Sequence, residues 1–242
     1  MSDVPMVVHD PAFAHGGTHP EYPTWTEVPP LPHPSLLHTI GAGTLENFYL
    51  AGEAVAHVLH RRLRQRAVAL DIGCGCGRTA RFLLFRDDIR YIGFDIFKPA
   101  IDWANAYLAP LAEGRFSFEH IDAQSEHYNP RGQLKATQVR FPAADGSIDV
   151  AFAASLFTHL LEADARHYLG ESTRCLVRNG LLVASIHTDP EPGKNYSGRE
   201  NRIEINKAYF IDMAAAAQLE VREDLGLLCG QELLVFGRAE AP

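Results

Sequence analysis

From Thr44 onward the chain alternates between two periodicities. Leu45, Phe48, Tyr49, Gly52, Val55, Ala56 and Leu59 recur at the i, i+3, i+4, i+7 spacing of one apolar helix face. The run Ala67-Val68-Ala69-Leu70-Asp71-Ile72 then predicts a buried strand, and a glycine cluster separates it from a helix bearing Ala80, Phe82, Leu83 and Leu84. Strand two is Tyr91 to Asp95. Pro99 opens the next helix, where a proline forfeits no hydrogen bond, and Ile101, Trp103, Ala104, Tyr107 and Leu108 form its apolar side. Strand three (Phe116 to Ile121), strand four (Ile148 to Ala154), a helix from Thr158 to Leu176 and strand five (Leu181 to Ile186) follow.

Strands alternating with helices predict an α/β fold, a mostly parallel sheet with helices on both faces joined by right-handed crossovers. The end departs from this rhythm. An Ala-rich helix, Tyr209 to Leu219, precedes Val221 to Leu225, and a turn from Gly226 to Gly230 leads into Leu233 to Phe236. Runs so closely joined pair antiparallel, because a parallel return needs a crossover of about a dozen residues. The sheet is expected to end in a hairpin.

Residues 1–43 read differently. Residues 1–44 hold eight of the 15 prolines, five of the 12 histidines and no Lys or Arg. Such proline density is excluded from helix and sheet interiors, which predicts an extended arm with at most short turns, ahead of one domain over 44–242. Length and a 46% hydrophobic content suit a soluble globular chain. No apolar run approaches the ~18 residues of a membrane span, and Met1-Ser2-Asp3-Val4-Pro5 lacks a signal-peptide pattern, so a cytoplasmic location is expected. The net charge of −8, from 22 Lys+Arg against 30 Asp+Glu, disfavours nucleic acid. Cys74, Cys76, Cys175 and Cys229 have no zinc-ribbon spacing, so reduced thiols and no metal site are expected.

The most informative segment is Leu70-Asp71-Ile72-Gly73-Cys74-Gly75-Cys76-Gly77-Arg78. Glycines after a buried strand let the backbone turn tightly and approach a ligand with no Cβ in the way. An acidic residue, Asp95, closes the next strand 22 residues beyond Gly73. A carboxylate there can accept hydrogen bonds from both ribose hydroxyls, which implies an adenosine-containing ligand. Arg78 stands where a dinucleotide fingerprint has Gly or Ala, and no Gly-Lys-Ser/Thr follows for a P-loop.

The pattern Asp71-x-Gly73-x-Gly75-x-Gly77 resembles motif I of the class I S-adenosylmethionine-dependent methyltransferases, with the resemblance extending over about residues 45–237. It implies their Rossmann-like seven-stranded sheet with an antiparallel C-terminal hairpin, and S-adenosyl-L-methionine as cofactor. The cofactor-binding positions it implies are Asp71, Gly73, Cys74, Gly75, Gly77, Asp95 and Ile96, then Asp122 and Ala123 after strand three, then Ser155 and Leu156 after strand four. The family's Pro-Gly-Gly before strand five is reduced here to Asn179-Gly180. Cys74 and Cys76 read as small spacers, and Phe48 and Tyr49 as core residues.

The resemblance implies in-line methyl transfer, in which the protein supplies proximity, alignment and exclusion of water. An oxygen acceptor would use a base tuned near neutral pH, and His159 and His187 stand at strand ends. Both also read as scaffold or loop residues. Absence of an Asn/Asp-Pro-Pro-aromatic motif after strand four, of a Pro-Cys nucleophile and of an acid cluster argues against adenine-amino, cytosine-C5 and metal-dependent catechol chemistry. The expected activity is methyl transfer to a small-molecule or sugar acceptor at oxygen, with no nucleic acid or membrane partner and room for a homodimer. The acceptor pocket is expected to be roofed by the arm and segments 124–146 and 187–207. The alternatives are a noncatalytic S-adenosylmethionine-binding scaffold and a nucleotide-dependent oxidoreductase.

Overall fold

The computed structural model describes residues 29–41 and 43–239. The stretch of the expected arm at residues 1–28 lies outside the described residues. In chain order the elements are α1 (Pro34–Thr39), α2 (Leu45–His60), β1 (Val68–Ile72), α3 (Ala80–Leu83), β2 (Arg90–Asp95), α4 (Lys98–Tyr107), β3 (Phe116–His120), β4 (Ile148–Ala153), α5 (Glu162–Cys175), β5 (Leu176–Ile186), β6 (Tyr196–Arg199), β7 (Arg202–Ile205), α6 (Lys207–Ala216), β8 (Leu219–Leu228) and β9 (Gln231–Arg238).

Seven strands form one sheet in the order β3-β2-β1-β4-β5-β9-β8. Its first five strands are parallel, whereas β9 runs antiparallel to both β5 and β8. This is the doubly wound sheet with a terminal hairpin that the alternation predicts. Strand order reverses between β1 and β4, and a ligand crevice opens at the carboxyl ends of strands beside such a point. The glycine cluster leaves β1 there.

The helices hold the two faces of the sheet. One layer packs Val55 and Leu59 of α2, Leu83 of α3, and Ile101 and Ala104 of α4 against Ala69, Val150 and Val235. The opposite layer packs Tyr168 and Leu169 of α5, and Phe210 and Met213 of α6, against Leu70, Ala151 and Phe236. Each fully buried Leu or Phe side chain contributes about 1.5–3 kcal/mol of transfer free energy. Sequence fixes the helix starts: Thr44 Oγ1 accepts the Asn47 N–H at 3.1 Å, and the Asn206 side chain accepts the Tyr209 N–H at 3.1 Å. Gly52 lets α2 approach the glycine loop, since a Cβ there would lie 2.5 Å from the Arg78 carbonyl oxygen.

Three local expectations change. Residues 34–39 form a helix rather than extended chain, because Pro34 stands in its first turn and the His33 side chain accepts the Ser35 N–H. Leu37 then packs with Phe48 and Cys76. Helix α5 starts at Glu162 rather than Thr158. Ser155 takes a φ of 63°, and the His159 N–H and Thr158 hydroxyl bond back to Leu156 and Ser155, so residues 155–161 are a turn. His159 therefore precedes the helix instead of lying in its first turn.

The third change concerns segment 187–207, which contains the hairpin β6–β7. This hairpin is anchored on the post-β4 turn by Ile203 N–H to Thr158 O at 2.8 Å and Tyr196 Oη–H to Leu160 O at 2.5 Å. Arg81, only 4% exposed, fixes residues preceding α1: its guanidinium donates to Pro29 O at 2.8 Å and lies 4.9 Å from the Tyr49 ring centroid. Tyr49 thus pairs with a buried cation as well as the core. No helix among the described residues is long and apolar enough to cross a membrane.

Candidate functional site

The glycine loop is held open by its backbone and tied to the end of β2. Gly73, Gly75 and Gly77 have φ values of 76°, 53° and 73°, a region that L side chains resist. The N–H groups of Gly73 and Cys74 both donate to Phe94 O, at 2.9 and 3.0 Å. Asp95 closes the arrangement, with Oδ2 accepting the Gly75 N–H at 2.7 Å and Oδ1 the Phe97 N–H at 2.8 Å. Each carboxylate oxygen keeps a further lone pair for a ligand. Burial raises the Asp95 carboxyl above its ordinary value, while these two N–H groups pull it back.

A cleft of about 980 Å³, its mouth included, runs over the loop and the strand ends. Of the sequence-predicted positions, Gly73, Cys74, Gly75, Asp95, Ile96, Ala123, Ser155 and Leu156 line it, whereas Asp71, Gly77 and Asp122 do not. Asp71 is 3% exposed and accepts the Tyr91 hydroxyl at 2.5 Å behind the loop. Its burial pushes the carboxyl up to about 7. Gly77 faces the helix layer: a Cβ there would stand 2.5 Å from Leu108 Cδ1, so the residue permits close packing. Asp122 is exposed and accepts from Asn129 Nδ2 at 3.0 Å, bracing the following loop.

The two histidines separate. His159 lines the cleft, whereas His187, at the end of β5, does not. The His159 Nδ1–H donates to the Glu200 carbonyl at 2.7 Å, a partner that can only accept. That fixes the tautomer and leaves Nε2 as the acceptor, 3.3 Å from the Tyr128 hydroxyl. Burial lowers the His159 pKa below its ordinary value and raises the Tyr128 phenol to about 12, so near neutral pH both are uncharged. Burial, followed by the Arg202 charge, also lowers His187. The Ser125 hydroxyl donates to the Glu200 carboxylate in a short bond, joining the Tyr128 loop to the β6–β7 turn.

Sequence reasoning used Arg78 only to exclude a dinucleotide and left Tyr128 and Glu200 without individual roles. Arg78 lines the cleft, yet its guanidinium forms no hydrogen bond or ion pair with another described residue. Burial lowers its pKa, with Asp71 as the largest opposing charge. A second cavity, also about 980 Å³ with its mouth, adjoins the cleft and shares Arg78, Ala154 and Ser155 with it.

Comparison with known proteins agrees with this geometry. Residues 70–182 match the methyltransferase domain family. An O-methyltransferase of Pyrenophora dematioidea is 28% identical over 155 residues, covering 61% of this chain and 51% of that protein. The chain thus spans about half the length of that curated relative. The Burkholderia thailandensis 1,6-didemethyltoxoflavin-N1-methyltransferase, solved with 1,6-didemethyltoxoflavin and S-adenosylhomocysteine, superposes with a TM-score of 0.60 at 19% identity over 87% of this chain and 92% of that one. The Streptomyces coelicolor geranyl diphosphate C-methyltransferase gives 0.57 at 15% identity over 77% and 80%. Residues 70–182 thus match a methyltransferase domain, and the chain has the Rossmann-like fold of these solved methyltransferases.

Proposed function

We propose that this chain transfers a methyl group from S-adenosylmethionine to a small-molecule or sugar acceptor at oxygen. The observation that carries the reading is the Asp95 carboxylate, pinned by the Gly75 and Phe97 N–H groups in a cleft where Gly73 and Gly75 present no Cβ. That cradle suits a ribose and the chain extending from it. When bound, S-adenosylmethionine supplies a methyl group already activated on a sulfonium.

The chain's own residues then bind, orient and deprotonate. Asp95 would accept the ribose hydroxyls, and Ile96 and Ala123 would hold the base. Gly73, Arg78 and Ser155, which also line the cleft, would hold the amino-acid half. Arg78, a cation with no partner among the described residues, would pair with the carboxylate of the amino-acid half. His159 Nε2 would take the acceptor hydroxyl's proton, readying its oxygen for the methyl group that the bound cofactor would supply. Its Nδ1–H bond to Glu200 O holds the ring in the required tautomer.

The oxygen assignment draws support from this neutral histidine and from the O-methyltransferase relative. Small acceptors are favoured by the cleft's size and by the net charge of −8. Labelled methyl transfer to a panel of phenols, hydroxy acids and sugars tests the reading. His159→Asn is expected to lower kcat by about 10²–10⁴-fold, with the wild-type rate rising with pH through a midpoint below the ordinary histidine pKa. Cofactor binding without transfer to any panel member would favour a scaffold instead.

A further inference from the structure

Among the described residues, the second cavity meets the segments expected to roof the acceptor at Gly41 of the arm alone. Its walls come from α2, through Asn47, Leu50 and Val55, from the carboxyl ends of β4 and β5, and from the β8–β9 turn, through Leu228, Cys229 and Gln231. Segments 124–146 and 187–207 border the first cleft instead, through Tyr128, Ala136 and Glu200. We propose that the second cavity is the chamber for the acceptor's body, and that the acceptor it takes is an uncharged small molecule with an apolar body and a hydroxyl group.

Two features of the boundary point there. Ser155, in its positive-φ turn, lines both spaces and is fixed by a ring of three hydrogen bonds. Its N–H donates to Ser185 Oγ at 2.7 Å, Ser185 donates to Gln231 Oε1 at 2.7 Å, and Gln231 Nε2 returns to Ser155 Oγ at 3.0 Å. Ser155 Oγ is an acceptor within this ring, so its own proton is available to a ligand at the boundary. A hydroxyl entering from the second cavity meets that serine where the cleft's reactive half ends.

Charge decides the acceptor class. Among the described residues lining the second cavity, Arg78 is the sole ionised side chain; Asn47, Ser155, Ser185 and Gln231 supply neutral hydrogen-bonding groups, and Leu50, Val55, Leu228 and Leu233 supply apolar surface. This inference rests on the methyl-transfer reading above, in which the cofactor carboxylate neutralises Arg78. The described lining then carries no net charge, and a charged acceptor would find no counter-ion among these residues.

A tethered probe tests the placement. The probe is an S-adenosylhomocysteine analogue with nitrogen in place of sulfur, carrying from that nitrogen a short arm ending in a chloroacetamide. Cys229 is exposed beside the cavity, whereas Cys74, Cys76 and Cys175 are buried. The arm is expected to alkylate Cys229, as read by peptide mass, and excess S-adenosylhomocysteine is expected to block the reaction. Leu50→Trp, at an exposed α2 position on the cavity wall, should abolish labelling while S-adenosylhomocysteine affinity stays within twofold. Labelling elsewhere, no labelling, or rejection of the probe by a protein that binds S-adenosylhomocysteine would overturn the placement. Failure to bind S-adenosylhomocysteine at all would instead strike the methyl-transfer reading itself.

The acceptor class is read from two further analogues that differ only in a hydroxyl or a carboxylate at the arm's end. The hydroxyl form is expected to bind at least tenfold tighter, and equal affinity or preference for the carboxylate would overturn the claim. Arg78→Gln should weaken S-adenosylhomocysteine tenfold or more while 5′-methylthioadenosine, which lacks the amino-acid half, changes less than twofold. Equal losses for both, or none, would remove the neutral-chamber argument.

Discussion

Replacing Asp95 by Ala is expected to weaken S-adenosylhomocysteine binding by about 1.5–3 kcal/mol, on the order of ten- to a hundredfold in Kd. The loss has two sources. The ribose hydroxyls lose a charged acceptor, and the Gly75 and Phe97 N–H groups lose the carboxylate that holds them at 2.7 and 2.8 Å. Asp95→Asn separates the two, because its amide oxygen can still accept one of these N–H groups but cannot replace both charged acceptors. Titration calorimetry should rank wild type tightest, Asn intermediate and Ala weakest. Three equal dissociation constants would take Asp95 out of the binding site.

Asp71 carries the larger pH effect, and it acts on stability. Its carboxyl rises from 3.8 to about 7 in the folded protein because burial outweighs the Tyr91 hydroxyl bond. A raised carboxyl favours folding below its unfolded pKa, and that contribution is lost as pH rises through the folded pKa. Between pH 4 and 7 the wild type is therefore expected to lose stability relative to Asp71→Asn, whose amide oxygen can keep the Tyr91 bond. At 1.36 kcal/mol per unit the gap reaches about 4 kcal/mol as an upper bound. Urea unfolding of both proteins at pH 4.5 and pH 8 reads the difference; a gap that does not change with pH would mean that Asp71 titrates as an ordinary solvated acid.

These two acids show what a linear sequence conveys. Both stand at strand ends around a glycine turn, and that placement is legible from alternation alone. Their roles are not: Asp95 lines the cleft because β2 ends beside the loop, whereas the Tyr91 hydroxyl holds Asp71 behind it. Gly77 shares the motif with Gly73 and Gly75, but its role is set by Leu108, which α4 brings against it from 31 positions away. The β6–β7 hairpin was hidden because its strands have four residues each and its turn reads Arg199-Glu200-Asn201-Arg202, polar like a loop. That Arg78 has no partner among the described residues is a property of three-dimensional packing, and no local pattern announces it.

The early start expected for α5 has a similar cause. Thr158, His159 and Leu160 continue an apolar rhythm into the helix, yet hydrogen bonds from β6–β7 and the positive φ of Ser155 hold them in a turn. That turn places Ser155 at the boundary of two cavities and His159 within the cleft. Tertiary contacts between distant segments thus shape the part of the site nearest the chemistry.

The central claim is that the Asp95 cleft takes the adenosyl amino-acid cofactor. Calorimetric titration of the wild-type chain with S-adenosylhomocysteine, followed by NADH, tests it most directly. One-to-one binding of S-adenosylhomocysteine that NADH does not displace is the predicted result, and tight binding of NADH with no affinity for S-adenosylhomocysteine would contradict it.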